Sequence, residues 1–154
     1  LAVPGRVVAP SNWHVTLRFI GEVAPPVVDR VAHAIDESEL GSPFRVRWGG
    51  LGALPRSAKA TVLWAGPAFG RDDLIQLAVA VGEGLEGAGL PGEERPFRPH
   101  LTLSRIRPPL DVTALIASID PLGVAMTVDR IDLMATRSED GVTRYDVVES
   151  FELS

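Results

Sequence analysis

The chain has 154 residues, 45% hydrophobic and 23% charged, which suits one soluble globular domain or two small fused lobes. Cysteine is absent, so disulfides, thiolate nucleophiles and cysteine-bound zinc are excluded. The formal net charge of −5 argues against a protein that coats long duplex nucleic acid, but leaves room for a small basic cleft holding one or two nucleotides at a strand end.

In chain order, Leu1–Pro4 reads as the end of a short strand, and Gly5–Val8 leads to a turn at Pro10–Asn12. Trp13–Ile20 alternates and is rich in β-formers, so a strand is expected, ended by Gly21. Pro25–Pro26 suits a helix start, and Val27–Leu40 carries Val27, Val28, Val31, Ile35 and Leu40 mostly on one side. Phe44–Trp48 alternates as a half-buried strand, Gly49–Arg56 reads as a Gly/Pro loop, and Ala60–Ala65 as an apolar strand. Asp72–Leu85 is a helix with Leu74, Leu77, Val81 and Leu85 on its stripe, followed by a loop over Gly87–Arg98. His100–Ile106 is a strand that Pro108–Pro109 should end, and Val112–Ile119 is a short helix. Val124–Arg137 holds one or two strands, and Asp140–Gly141 is a hairpin signal returning along Thr143–Phe151. Strands and helices interleave, yet the tail is a meander, which gives α+β.

One short repeat carries chemistry. His14-Val-Thr-Leu-Arg-Phe-Ile20 and His100-Leu-Thr-Leu-Ser-Arg-Ile106 share the His, the Thr, the Leu and the Ile. Residues two apart on a strand share a face, so His14 with Thr16, and His100 with Thr102, each offer an imidazole and a hydroxyl opposite an apolar face. A single repeat at this separation suggests two related lobes, one motif per lobe, in a single two-lobed domain over 1–154. Two imidazoles are what phosphodiester opening needs: one takes a proton from the nucleophile and the other gives one to the leaving oxygen. Threonine hydroxyls can hold the non-bridging phosphate oxygens. The scheme requires no metal and no cofactor.

The paired His-x-Thr strands resemble the two-histidine phosphoesterase superfamily. The strings HVTLRFIGEV, PHLTLSRIR, GLGALPR and RYDVVESFEL resemble its bacterial branch, the RNA 2′,3′-cyclic phosphodiesterases first named 2′-5′ RNA ligases (LigT-like). The resemblance implies two mainly antiparallel sheets facing a central cleft, with helices outside. It implies hydrolysis of 2′,3′-cyclic phosphate ends on RNA or nucleotides to 2′-phosphates. His14 would be the proton donor and His100 the general base, with Thr16 and Thr102 binding phosphate. Phe19 and Arg105, five residues after their histidines, would flank the substrate base or touch its phosphate. Strict alternation puts both on the apolar face, so the strands must twist, bulge or end there. The expected partner is an RNA 3′ end or a nucleotide carrying the cyclic phosphate, handled by a monomer in the cytoplasm. Ligation, a small-metabolite cyclic phosphate, and a non-catalytic RNA-end binding module are the alternatives.

One departure stands out: the family's first strand is followed by a helix before the first His-x-Thr, whereas Leu1–Pro4 runs straight into Gly5, as though a stretch between Pro4 and Gly5 were omitted.

Other residues read more plainly. Arg18 shares the parity of His14 and is either a cavity residue or a solvated strand arginine. His33 is a helix residue with acidic neighbours, and three separated histidines without matched carboxylates make no zinc motif. Ser104 has no nucleophile's surroundings, Trp13 reads as packing, Trp48 and Trp64 read as core or sheet residues, and Tyr145 as a structural aromatic. The basic residues are nearly all arginine, with Lys59 alone as lysine. That suits phosphate, though a GC-rich coding sequence explains it equally.

Overall fold

A computed structural model describes residues 3–118 and 123–154. The chain packs into two compact units, each assembled from three stretches of sequence. The first comprises the chain up to Thr16, Arg45–Arg71 and Pro99–Met126; the second comprises Leu17–Phe44, Asp72–Arg98 and Thr127–Ser154.

The first unit is built on a five-stranded sheet in the order β1-β4-β3-β2-β5, with β1 Arg6–Val7, β2 Phe44–Leu54, β3 Ala60–Phe69, β4 Leu101–Leu110 and β5 Ala125–Val128. The β1–β4, β3–β4 and β2–β3 pairs are antiparallel. One face of this sheet packs Ala60, Leu63 and Ile106 against Val112, with Leu51, Ala53, Leu115 and Ile116 around them. Leu115 and Ile116 come from a short helix over Thr113–Ser118.

The second unit pairs two helices with a two-stranded ribbon. Helix α1 is Pro25–Asp36, α2 is Arg71–Gly87, and the helix just described is α3. Pro25 starts α1, where its missing N–H costs nothing. Asp72 and Asp73 in the first turn of α2 complement the helix dipole. Val31 and Ile35 of α1, Val81 and Leu85 of α2 and Phe151 form one core, with Leu17, Ile20 and Leu40 packed on it. Each such side chain, fully buried, stabilises by about 1.5–3 kcal/mol. Strands β6 Arg130–Glu139 and β7 Val142–Glu152 form an antiparallel hairpin. Its two-residue turn takes Asp140 at φ 50° and Gly141 at φ 75°, the left-handed pair that such a turn demands.

The architecture is α+β, as the interleaved elements indicate, but several boundaries differ from the sequence reading. Trp13–Ile20 forms no strand. Alternation marks a half-buried segment, but a strand also needs a ladder partner. Here Leu17 and Ile20, three apart, dock on the second unit's core instead. Gly49–Leu54, read as loop, continues β2, whose register shifts between Arg47 and Leu51 absorb the glycines. Strand β4 runs through Pro108–Pro109 to Leu110, with a cis Arg107–Pro108 bond. Helix α1 ends four residues before Leu40. Val124–Arg137 resolves into β5 and β6. Of Leu1–Pro4, the first two residues lie outside the described chain, and Val3–Pro4 form no strand. Ile119 likewise lies outside it.

Candidate active site

Strand β4 positions the second motif. Trp64 pairs with Thr102 and Leu63 with Ser104, so β4 carries one extra residue, Leu103, at that point. The bulge reverses the alternation. Ala65–Leu101 and Leu63–Ser104 lie on the core face, where all four are buried. Trp64–Thr102 and Val62–Arg105 lie on the other face. Thr102 and Arg105 therefore share the open face although they are three apart in sequence; of the twist, bulge or strand end expected there, β4 takes the bulge. Arg105 is exposed there and Thr102 half-buried.

His100 immediately precedes β4. Its imidazole meets the indole of Trp64 edge-to-face, with ring centroids 6.2 Å apart and planes at 66°. The indole in turn lies across glycine. A Cβ on Gly52, its cross-strand partner, would fall 2.1 Å from indole Cζ2, and one on Gly66 would fall 3.1 Å from Cζ3. Trp64 was read from the sequence as a core or sheet residue. It is a sheet residue, but it faces out beside the histidine. The flanking glycines were the signal for a ring lying flat on the strand.

The first motif is positioned by turns rather than a strand. The N–H of Val8 donates to the carbonyl of Leu103 at the bulge (2.8 Å), and a 3-10 turn at Pro10–Asn12 follows. The Trp13 N–H donates to Pro10 O (3.1 Å) and its indole N–H to Val8 O (2.9 Å). His14 comes next, half-buried, with Nδ1 2.8 Å from the carbonyl of Asn12. A carbonyl only accepts, so Nδ1 carries the proton and, in the neutral ring, Nε2 carries the lone pair. Thr16 is exposed.

The first unit thus collects His14, Thr16, His100, Thr102 and Arg105, and both motifs fall inside it. Arg18 and Phe19 belong to the second unit. Phe19 is 75% exposed. The Arg18 side chain is mostly buried, with Nε 3.3 Å from Glu93 Oε1 and an N–H donated to the carbonyl of Pro91. Ser104 is fully buried and donates to Pro4 O (2.5 Å), a structural role. Trp48 is buried beside Met126, and His33 is exposed on α1. Among the described residues no group of three His, Asp or Glu side chains is arranged to hold a metal.

Charge divides unevenly. The first unit's sequence holds eight Arg and Lys against two Asp, a balance of +6. The second holds seven against eighteen acids, −11, and the two sum to the net −5. Whole-chain charge therefore conceals a basic half, and that half carries both histidines.

Residues 8–140 match the family model described as the 2′-5′ RNA ligase superfamily. The chain belongs to that superfamily. It is 35% identical over 121 residues to the RNA 2′,3′-cyclic phosphodiesterase of Aeropyrum pernix, covering 79% of this chain and 68% of that protein. Against the protein of the same name from Aquifex aeolicus it is 34% identical over 109 residues, 70% of this chain but 58% of that one. The aligned part is therefore under three fifths of the Aquifex protein's length. Among solved structures, E. coli LigT complexed with 3′-AMP matches with a TM-score of 0.80 at 28% identity, covering 97% of this chain and 82% of that one. The apo form of E. coli LigT matches at 0.78 with 30% identity, covering 97% and 81%. The superfamily's fold is thereby matched along nearly the whole chain.

Proposed function

We propose that this member of the 2′-5′ RNA ligase superfamily hydrolyses 2′,3′-cyclic phosphates at RNA or nucleotide ends, leaving a 2′-phosphate and a free 3′-hydroxyl. The observation that carries the reading is the recurrence of His-x-Thr at His14–Thr16 and His100–Thr102 in one basic unit of a chain whose relatives bear that activity in their names. His100 takes a proton from water as its oxygen bonds to phosphorus. His14 gives a proton to the 3′-oxygen as the phosphorus–3′-oxygen bond breaks. Thr16 and Thr102 hold the non-bridging oxygens, where charge builds. Both proton transfers run through imidazoles, so the scheme calls on no metal. Arg105, brought to the open face by the bulge, contacts the phosphate or base. Arg18, engaged with Glu93 and Pro91, holds the 91–93 loop.

The test is incubation with a short RNA ending in a 2′,3′-cyclic phosphate, with EDTA present. The expected product resists a 3′-phosphate-specific phosphatase and has gained the mass of one water. A 3′-phosphate product would reverse the regiochemistry, and absence of turnover would remove the hydrolase reading.

A further inference from the structure

The open face of the first unit's sheet continues well beyond the histidines. Along β3 it carries Val62, Trp64 and Gly66, and the β2–β3 pairing then reaches Arg47 opposite Phe69. Between Trp48–Pro67 and Arg47–Phe69 the register shifts by one residue of β3. Trp48 is buried on the core side, so its neighbour Arg47 points the other way and Phe69 with it. The bulge thus returns Phe69 to the face of Trp64. Phe69 is 58% exposed, and Arg45 and Arg47 are exposed. With Ala125, these three residues line a shallow open groove. Five residues of strand separate Trp64 from Phe69, about 16 Å at some 3.3 Å per residue.

Three features of this strip are unlike an ordinary solvated surface. A large aromatic ring is left exposed directly across from an arginine. Arg45 and Arg47 form no ion pair among the described residues, whereas Arg18, Arg130, Arg137 and Arg144 all do. The stretch Arg45–Arg71 contains no acidic residue in a chain that has twenty.

Aromatic rings that take any base face, set beside arginines that take phosphate, are the elements of single-strand recognition. We propose that the RNA leading to the cyclic end lies along this face. Its last nucleotide sits at Trp64 and His100, and nucleotides further 5′ pass over Gly66 to Phe69, which stacks a base, and to Arg45 and Arg47, which meet phosphates. Resting on the function proposed above, this makes single-stranded oligonucleotide ends, rather than free cyclic nucleotides, the preferred substrate.

Two measurements on the full chain test it. The first is fluorescence anisotropy with a mixed-sequence octamer RNA ending in a plain 3′-hydroxyl, titrated at several salt concentrations. The Arg45→Ala/Arg47→Ala double variant should bind more weakly and lose about 1.4 from the slope of log K against log salt, roughly 0.7 for each phosphate contact given up. Phe69→Ala should weaken binding about tenfold with the slope retained. Circular dichroism checks that these exposed substitutions leave the fold intact. The second is the ratio of kcat/KM on an octamer with a cyclic phosphate end to kcat/KM on a cyclic mononucleotide. That ratio should fall about tenfold in either variant. Wild-type affinity and salt slope in the double variant would overturn the RNA track. A wild-type protein that binds the octamer with the expected slope but turns over neither cyclic substrate would overturn the hydrolase reading alone.

Discussion

The indole of Trp64 stands edge-on to the imidazole of His100, 6.2 Å between centroids, and is itself bedded on Gly52 and Gly66. His100 lies just outside β4, so strand hydrogen bonds do not fix its ring; the tryptophan does part of that work. An aromatic edge contact contributes about 0.5–1.5 kcal/mol beyond its buried area, and a reacting group loses rate steeply when misplaced. Trp64→Ala should lower kcat about tenfold on a cyclic mononucleotide, beyond any rise in KM from the lost contact with the nucleotide. Trp64→Phe should restore most of it. Gly52→Ala should behave like Trp64→Ala, because its Cβ takes the place of the indole. A loss confined to KM would mean that Trp64 serves the nucleotide alone and does not hold the His100 ring.

Removing the imidazoles addresses the chemistry directly. His14→Ala and His100→Ala should each lower kcat/KM by about 10²–10⁴, the range for one general acid or base. The double variant should fall little below the worse single one, because the two transfers serve one displacement. Both rings are half-buried and neither sits in a packed core, so melting temperatures should stay close to wild type. Substantial turnover in either single variant would remove that histidine from the mechanism.

The family and the repeat were more legible in the sequence than the geometry. His14, Thr16, His100 and Thr102 were marked by repetition, and helices α1 and α2 by apolar stripes whose buried members are the ones read. That β4 must twist, bulge or end before Arg105 also followed from parity, though the choice of a bulge and its position at Leu103 did not. What failed was whatever depends on a partner strand. Trp13–Ile20 has strand composition and no ladder. Gly49–Leu54 has loop composition and is held in β2 by β3. The compact units do not follow the halves of the sequence repeat, since a unit boundary falls just after Thr16. The charge asymmetry was hidden because each unit draws on three separate stretches of chain.

Asp111 gives a pH-dependent handle on α3. Its carboxylate is held below the ordinary value by the Thr113 hydroxyl and by the Thr113 N–H, which donates to Oδ1 at 2.9 Å. A lowered folded-state pKa means the ionised form stabilises the fold. That contribution is fully present above the unfolded pKa of about 3.9, and is lost as pH falls through the lower folded value. Asp111→Ala should therefore melt lower than wild type at pH 7, and the gap should narrow as the pH is taken below about 3.9. A gap independent of pH would mean that helix propensity, not the charged cap, sets the effect.

Gly5 ties the N-terminal segment to strand β4, and its replacement tests how His14 is positioned. Its φ is +85°, and a Cβ there would lie 2.6 Å from the carbonyl oxygen of Arg105 and 2.9 Å from both Ser104 Oγ and Ile106 Cγ1. The nearest of these is backbone and cannot swing away. Left-handed conformation alone costs an L-residue about 1–2 kcal/mol, and the clash adds to it. Gly5→Ala should lose at least about 2 kcal/mol in urea unfolding, or detach β1 from β4. Detachment would also withdraw Val8 from Leu103 O, and with it the turn that sets Asn12 O against His14 Nδ1. Activity should then fall by more than the folded fraction explains, measured at a temperature where the variant is still folded. A variant with wild-type activity and stability would show that His14 is held by the turn at Pro10–Asn12 without help from β1.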